Sequence, residues 1–249
     1  MTEHAIVSPS QWTAARERLL AKEKEFTRLR DELSRERRAL PWERVEKSYQ
    51  FTTAAGAASF ADLFAGRRQL VVYHFMFAPE WELGCRSCSF WADNFNGIVP
   101  HLNARDVSLV AISRAPLAKL EQQARRLGWT FPWVSSVGND FNYDYRVSFA
   151  PEALAAGEVL YNYKKQKIRS PDMPGISVFF RDGDGAIYHT YSCYSRGLDM
   201  LNNAYHYLDL VPLGRDEAKL AFPMDWVRLH DAYASDGPPA QVRSRSANP

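Results

Sequence analysis

The sequence predicts an α/β domain with a mixed central sheet, a βαβ unit followed by a β-hairpin and a helix, preceded by a long helical arm. Three observations predict it. The continuous apolar run 70–77 leads into Gly84-Cys85-Arg86-Ser87-Cys88, so a strand buried on both faces feeds a helix that opens on a C-x-x-C. A second apolar run, 107–113, precedes a helical stretch at 116–127 closed by Gly128, and such short links imply a right-handed crossover between parallel strands. Finally, Ile176-Ser177-Val178-Phe179-Phe180, the turn 181–185 and a returning strand at 186–191 read as a hairpin, ahead of a helix at 197–209.

The chain has 249 residues, 46% of them hydrophobic and 13% aromatic, enough for one main domain with elaborations. Its formal charge of +2 gives no electrostatic case for nucleic acid. The first seven residues lack a basic stretch followed by an apolar one, and no window approaches a membrane span. A cytoplasmic location is expected, with no membrane partner. Three cysteines in a reducing compartment argue for redox or metal chemistry over structural disulfides.

Residues 1–40 form the arm. Ser8 is a plausible N-cap with Pro9 in the first turn, and Trp12, Leu19, Phe26 and Leu33 recur every seven residues. Between Arg16 and Arg38 stand nine basic and six acidic residues, which reads as a solvated face on an arm packed against its own domain. The alternative is a seam for a second copy of the chain, a homodimer through this helix, although Lys22 interrupts the repeat. Leu40-Pro41 ends the helix.

The main domain is placed at 41–213. It opens with an edge strand or hairpin within 45–53 and a helical turn at 59–64 closed by Gly66. After the C-x-x-C, a helical segment at 89–95 stops at Asn96-Gly97. The aromatic stretch 131–149 has no period and reads as a loop-rich insertion; 161–167 reads as a solvated loop, and the acidic residues 182–185 as a hairpin turn without the ligands of a calcium loop. This order of elements is the thioredoxin topology. Residues 214–234, with Phe222, Trp226 and Leu229, read as a segment docking on the domain, and 235–249 as a disordered tail.

Thiol chemistry follows from the position of the dithiol. At the first turn of a helix Cys85 gains from the macrodipole and unpaired N–H groups, and Arg86 adds a positive charge, so Cys85 is the attacking sulfur. Cys88, one turn on, is the resolving thiol of a two-electron thiol–disulfide exchange. The substrate class is an unspecified disulfide or thiol, protein partners included, and no cofactor is expected. Cys193 and His189 lie on the strand that ends at the dithiol's edge of the sheet, and His74 in the core run, so these are accessory candidates. With Cys85 and Cys88, His189 together with Cys193 or His74 would also complete a four-ligand metal site, a zinc or iron alternative to inert core residues. A peroxidase using the same cysteines is the enzymatic alternative. It would want a hydroxyl residue three before the reactive cysteine, where Glu82 stands, and a cation such as Arg146 or Arg169. A thioredoxin-fold binding or metal-sensing module is the non-enzymatic one.

Tyr73-His74-Phe75-Met76-Phe77, the block 84–93, Phe141-Asn142-Tyr143-Asp144, the block 174–180 and Gly214-Arg215-Asp216-Glu217 together resemble the bacterial thioredoxin-like family labelled domain of unknown function 899. The resemblance runs from about Ser8 to Tyr233 and implies a thioredoxin-like fold with a helical N-terminal arm. The sequence departs from thioredoxin itself in two places. No proline stands between the cysteines, and Pro174 lies two residues before Ile176, so the proline that faces the dithiol in thioredoxin is displaced or absent, with Ser177 or Gly175 in its place in the second case.

Overall fold

The computed structural model describes residues 4–233, so the tail read at 235–249 lies outside the described residues. The chain divides into two units between Glu43 and Arg44.

The first unit is dominated by α1 (Pro9–Ala39), a helix of 31 residues. Its start is fixed by a capping box: the Ser8 hydroxyl accepts from the Gln11 N–H, and the Gln11 side chain accepts from the Ser8 N–H. Leu40, followed by Pro41, ends it in an extended conformation. None of its residues is buried.

The second unit holds the sheet. The hairpin expected within 45–53 forms slightly later, as β1 (Gln50–Thr53) and β2 (Gly56–Ser59), followed by a 3-10 turn at Asp62–Phe64. Ala65 and Gly66 then take positive φ to reverse the chain. The apolar run supplies β3 (Gln69–His74), and Phe75 to Phe77 continue beyond the ladder towards the dithiol. Next come α2 (Arg86–Ala92), an unforeseen short helix α3 (Val99–Asn103), β4 (Val107–Ser113) and α4 (Leu117–Arg126), with Gly128 at positive φ just after it. β3 is central: it pairs in parallel with β4, Gln69 opposite Val107 through His74 opposite Ile112, and antiparallel with β8 (Gly175–Arg181). β9 (Ile187–Tyr194) returns beside β8. This is the mixed α/β sheet that the sequence predicted, with the thioredoxin order β4-β3-β8-β9 at its heart.

The stretch 131–149 is more than a loop. It contributes β5 (Trp133–Ser135), parallel to β4 and bridged to β1 through Thr52 and Ser135, then α5 (Phe141–Asp144). All three residues of β5 are buried, so no alternation marks it, and the Trp133 indole N–H must be satisfied by the Ser113 hydroxyl at 2.9 Å. A turn of helix, α6 (Pro151–Ala155), leads to a second two-stranded sheet, β6 (Val159–Tyr161) with β7 (Lys164–Gln166), where a solvated loop was expected; Tyr161 is buried. The expected helix at 197–209 breaks in two. A 3-10 segment, Ser195–Leu201, ends at Asn202, whose side chain caps α7 (Asn203–Leu208).

Side chains of β3 alternate between two cores. Leu70 and Val72 join Phe51, Phe64 and Phe179 on one face. Val71 and Tyr73 join Trp91, Phe95 and Ile176 on the other, under α2.

Candidate functional site

Cys85 is the N-cap of α2, so its sulfur accepts the Cys88 N–H at 3.5 Å. The turn that presents it is held from behind. The Cys85 N–H donates to the Met76 carbonyl at 3.0 Å, and the Gly84 N–H to Gln123 Oε1 at 2.7 Å. Gln123, buried on α4, also donates through Nε2 to the Ser89 hydroxyl, which in turn donates to the Cys85 carbonyl at 3.0 Å. A Cβ on residue 84 would sit 2.7 Å from Phe75 Cε1 and 3.0 Å from Gln123 Oε1, so the close passage admits only glycine without rearrangement.

The two thiols are driven apart. The Cys85 thiol falls to about 7, chiefly through the hydrogen bond from Cys88, then through the Cys88 and Ser87 N–H groups and the Ser87 hydroxyl, against the opposing effect of burial. Burial, followed by the neighbouring Cys85, raises the Cys88 thiol well above its ordinary value. Local donors, rather than a long helix dipole, hold the thiolate, since α2 has seven residues. No cysteine is in a disulfide. Behind Cys88 lies the Tyr73 hydroxyl, fully buried and without a hydrogen-bond partner of ordinary length.

Both sulfurs line a cleft of about 1060 Å³ with Met76, Trp91, Met173 and Leu198. Its roof is the segment that follows α7. Glu217 Oε1 accepts from the Tyr205 hydroxyl at 2.8 Å, the Met224 N–H at 3.0 Å and the Trp226 indole at 2.7 Å. Arg215 lies over the Tyr205 ring at 3.8 Å, forks onto Asp209 with two bonds of 2.8 Å, and reaches Asp199 at 3.0 Å. Phe222 and Met224 thereby border the cleft, and Trp226 packs edge-on to Phe90. Residues 214–233 run mostly through turns, with one 3-10 turn at His230–Ala232, and Met224, Trp226 and Leu229 pack in the core that holds Trp91.

The family model described as "Bacterial protein of unknown function (DUF899)" matches residues 1–233. The chain belongs to this family. No curated protein matches it. Among solved structures, this DUF899 chain is similar to peroxidoxin BcpB from Mycobacterium tuberculosis, at 15% identity and a TM-score of 0.44 over 65% of this chain and 93% of that one. It is also similar to a cysteine-to-serine mutant of peroxiredoxin Q from Xanthomonas campestris, at 13% identity and 0.40 over 64% and 90%. A third is the mitochondrial 2-Cys peroxiredoxin from Plasmodium falciparum, at 12% identity and 0.38 over 68% and 92%.

In the DUF899 chain the predicted accessory residues do not gather at the dithiol. His74 follows Leu70 and Val72 onto the opposite face, its ring 5.7 Å from Phe141. There it forms a chain with Ser177 and His189, buried except at the half-buried His189 end: His74 Nε2 to Ser177 Oγ at 2.8 Å, Ser177 Oγ to Ser192 Oγ at 2.8 Å, and Ser192 Oγ to His189 Nε2 at 2.7 Å. Burial, then the nearby His189, lowers His74 to about 3, so it stays neutral. His189 was expected on the face of Cys193, but a bulge between His189 and Tyr191 reverses the alternation, pairing His189 with Phe179 and Cys193 with Ile176. The four-ligand metal set is therefore not assembled, and no cluster of three His, Cys, Asp or Glu side chains that could hold a metal occurs among the described residues. Cys193 stays on the dithiol's face, its sulfur 3.6 Å from the Gly197 carbonyl.

Two further expectations are corrected. Arg86 does not face the thiolate; its guanidinium pairs with Asp225 at 3.0 Å and lies over Phe222 at 5.9 Å, so it fastens the roof to α2. Pro174, not Ser177 or Gly175, borders the cleft, because β8 begins at Gly175 and so directly follows it. The described residues contain no cis peptide. Of the arginines considered for a peroxide, neither Arg146 nor Arg169 lines the cleft, whereas Arg196 does. Ser87, Tyr73, Gln123 and Glu217 were not among the sequence candidates, although all but Gln123 stand in the blocks that carry the family resemblance. Among the described residues no helix is long and apolar enough to cross a membrane.

Proposed function

We propose that this protein is a thiol–disulfide oxidoreductase whose nucleophile is Cys85 and whose resolving thiol is Cys88. What carries the reading is the unequal treatment of two sulfurs one helical turn apart at an open cleft, one held as a thiolate near neutral pH and the other kept protonated. The Cys85 thiolate attacks one sulfur of a substrate disulfide and expels the other half as a thiolate. Cys88 then loses its proton and attacks the Cys85 sulfur, releasing the second half; the substrate gains two electrons and the enzyme ends as the Cys85–Cys88 disulfide.

Tyr73 suits the second step. Its hydroxyl lies against the Cys88 sulfur with no hydrogen bond of ordinary length, and it favours the ionised form of Cys88, so it lowers the cost of a buried thiolate. Tyr73→Phe is expected to slow resolution of the mixed disulfide about tenfold with the first attack unchanged. Equal single-turnover rates for both steps in variant and parent would remove Tyr73 from the reaction.

The direct test is alkylation of Cys85 as a function of pH in a Cys193→Ser background. Because its pKa is lowered, the thiolate is lost as pH falls through about 7 and fully present above it. The rate should therefore rise through that midpoint and level off, whereas an ordinary thiol keeps gaining to about 8.5. Arg86→Ala should leave the midpoint in place, since that guanidinium is paired with Asp225. A midpoint at the ordinary thiol value would sink the nucleophile assignment. A peroxidase reading uses the same sulfurs, with Arg196 on the cleft wall as its cation. Hydroperoxide consumption much faster than disulfide reduction would favour it.

A further inference from the structure

The arm helix carries a feature that the redox site does not use. Trp12, Leu19, Phe26 and Leu33 are 61%, 51%, 66% and 45% exposed, and Leu29, on the same stripe, is 56% exposed. Five large apolar side chains along about 32 Å of helix form an unusual surface for a segment otherwise dense in charge. Isolated exposed leucines need no explanation. A stripe with a period of seven does.

With Trp12 taken as position a of a heptad, the a layers are Trp12, Leu19, Phe26 and Leu33, and the d layers Ala15, Lys22, Leu29 and Glu36. The flanking positions then become informative. Position g holds Arg18, Glu25 and Glu32, and position e of the next heptad holds Glu23, Arg30 and Arg37. In a parallel, in-register pair of helices each g residue faces the e residue five positions on in its partner. The three such pairs in which both members are charged are of opposite sign: Arg18 with Glu23, Glu25 with Arg30, and Glu32 with Arg37. An antiparallel pair in full overlap mixes a with d layers, and so sets Trp12 against Glu36 and Phe26 against Lys22.

We propose that α1 is a dimerisation helix, pairing in parallel with α1 of a second copy of this chain as a two-stranded coiled coil. The aromatic and leucine layers supply the attraction, and the e and g charges set orientation and register. Lys22 and Glu36, in d layers, weaken the seam, so the association is reversible and depends on concentration.

Sedimentation of the full chain over a wide range of concentration tests this. The mass is expected to rise from that of one chain, 28.5 kDa, towards twice that value. The double variant Leu19→Glu/Phe26→Glu should remain at the mass of one chain throughout, with Cys85 alkylation unchanged. Orientation is read by charge exchange. A chain with Glu25→Arg and Glu32→Arg should fail to self-associate, as should one with Arg30→Glu and Arg37→Glu, while a mixture of the two should dimerise. A parent chain that stays monomeric at every concentration, a dimer that survives the double variant, or a mixture that does not pair would each overturn the proposal. So would a helix that binds anionic vesicles while the chain remains monomeric. None of these readings depends on the dithiol chemistry.

Discussion

Cys85→Ser is expected to lower reduction of a soluble disulfide to background, a loss on the order of a thousandfold or more, because a serine hydroxyl is not ionised near neutral pH. Cys88→Ser should do something different. Cys85 keeps most of its donors, including the residue 88 N–H and Ser87, so the first attack proceeds and the reaction stops as a mixed disulfide on Cys85. Mass spectrometry should find one substrate half per chain in Cys88→Ser, none in Cys85→Ser, and an intramolecular disulfide in the parent. If Cys85→Ser still reduces disulfide at the parent rate, the assignment fails. If the adduct appears instead on Cys193 of the Cys88→Ser variant, that residue is the nucleophile.

Glu217→Ala is expected to unfasten the roof of the cleft. One carboxylate oxygen accepts from Tyr205, Met224 and Trp226, and its removal leaves three donors without their acceptor. Hydrogen bonds to a charged group are each worth about 1.5–3 kcal/mol, and partial access to water offsets some of this, so a net loss of about 3 kcal/mol is expected. If the roof unfolds together with the domain, Tm falls by about 6–12 °C; if it opens by itself, the loss appears as faster hydrogen exchange over 214–233. Glu217→Gln retains an acceptor oxygen and should lose less. Exchange in this segment and Tm both equal to the parent's in Glu217→Ala would show that the roof is held by other contacts, Arg215 foremost.

The central strand and the dithiol were legible because their signals are local. Residues 70–77 are apolar or aromatic apart from His74, and Gly84-Cys85 marks the turn into a helix. What supports the dithiol was not legible, since Gln123 reaches Gly84 from α4, and Glu217 acts on residues brought close only by folding. His189 shows how a sound rule fails. Counting by twos along a strand places it with Cys193, and one extra residue at the bulge puts it on the other face, among the aromatic side chains of the second core. Arg86 fails for a related reason, because adjacency in sequence does not say where a long side chain goes. Its guanidinium finds Asp225, 139 residues away.

That separation also bears on how the protein is made. A ribosome delivers Cys85 and Cys88 well before Glu217 and Asp225, and the last strand of the sheet, Ile187–Tyr194, is also made before the roof. The residues of the dithiol are made first, and those that enclose it last.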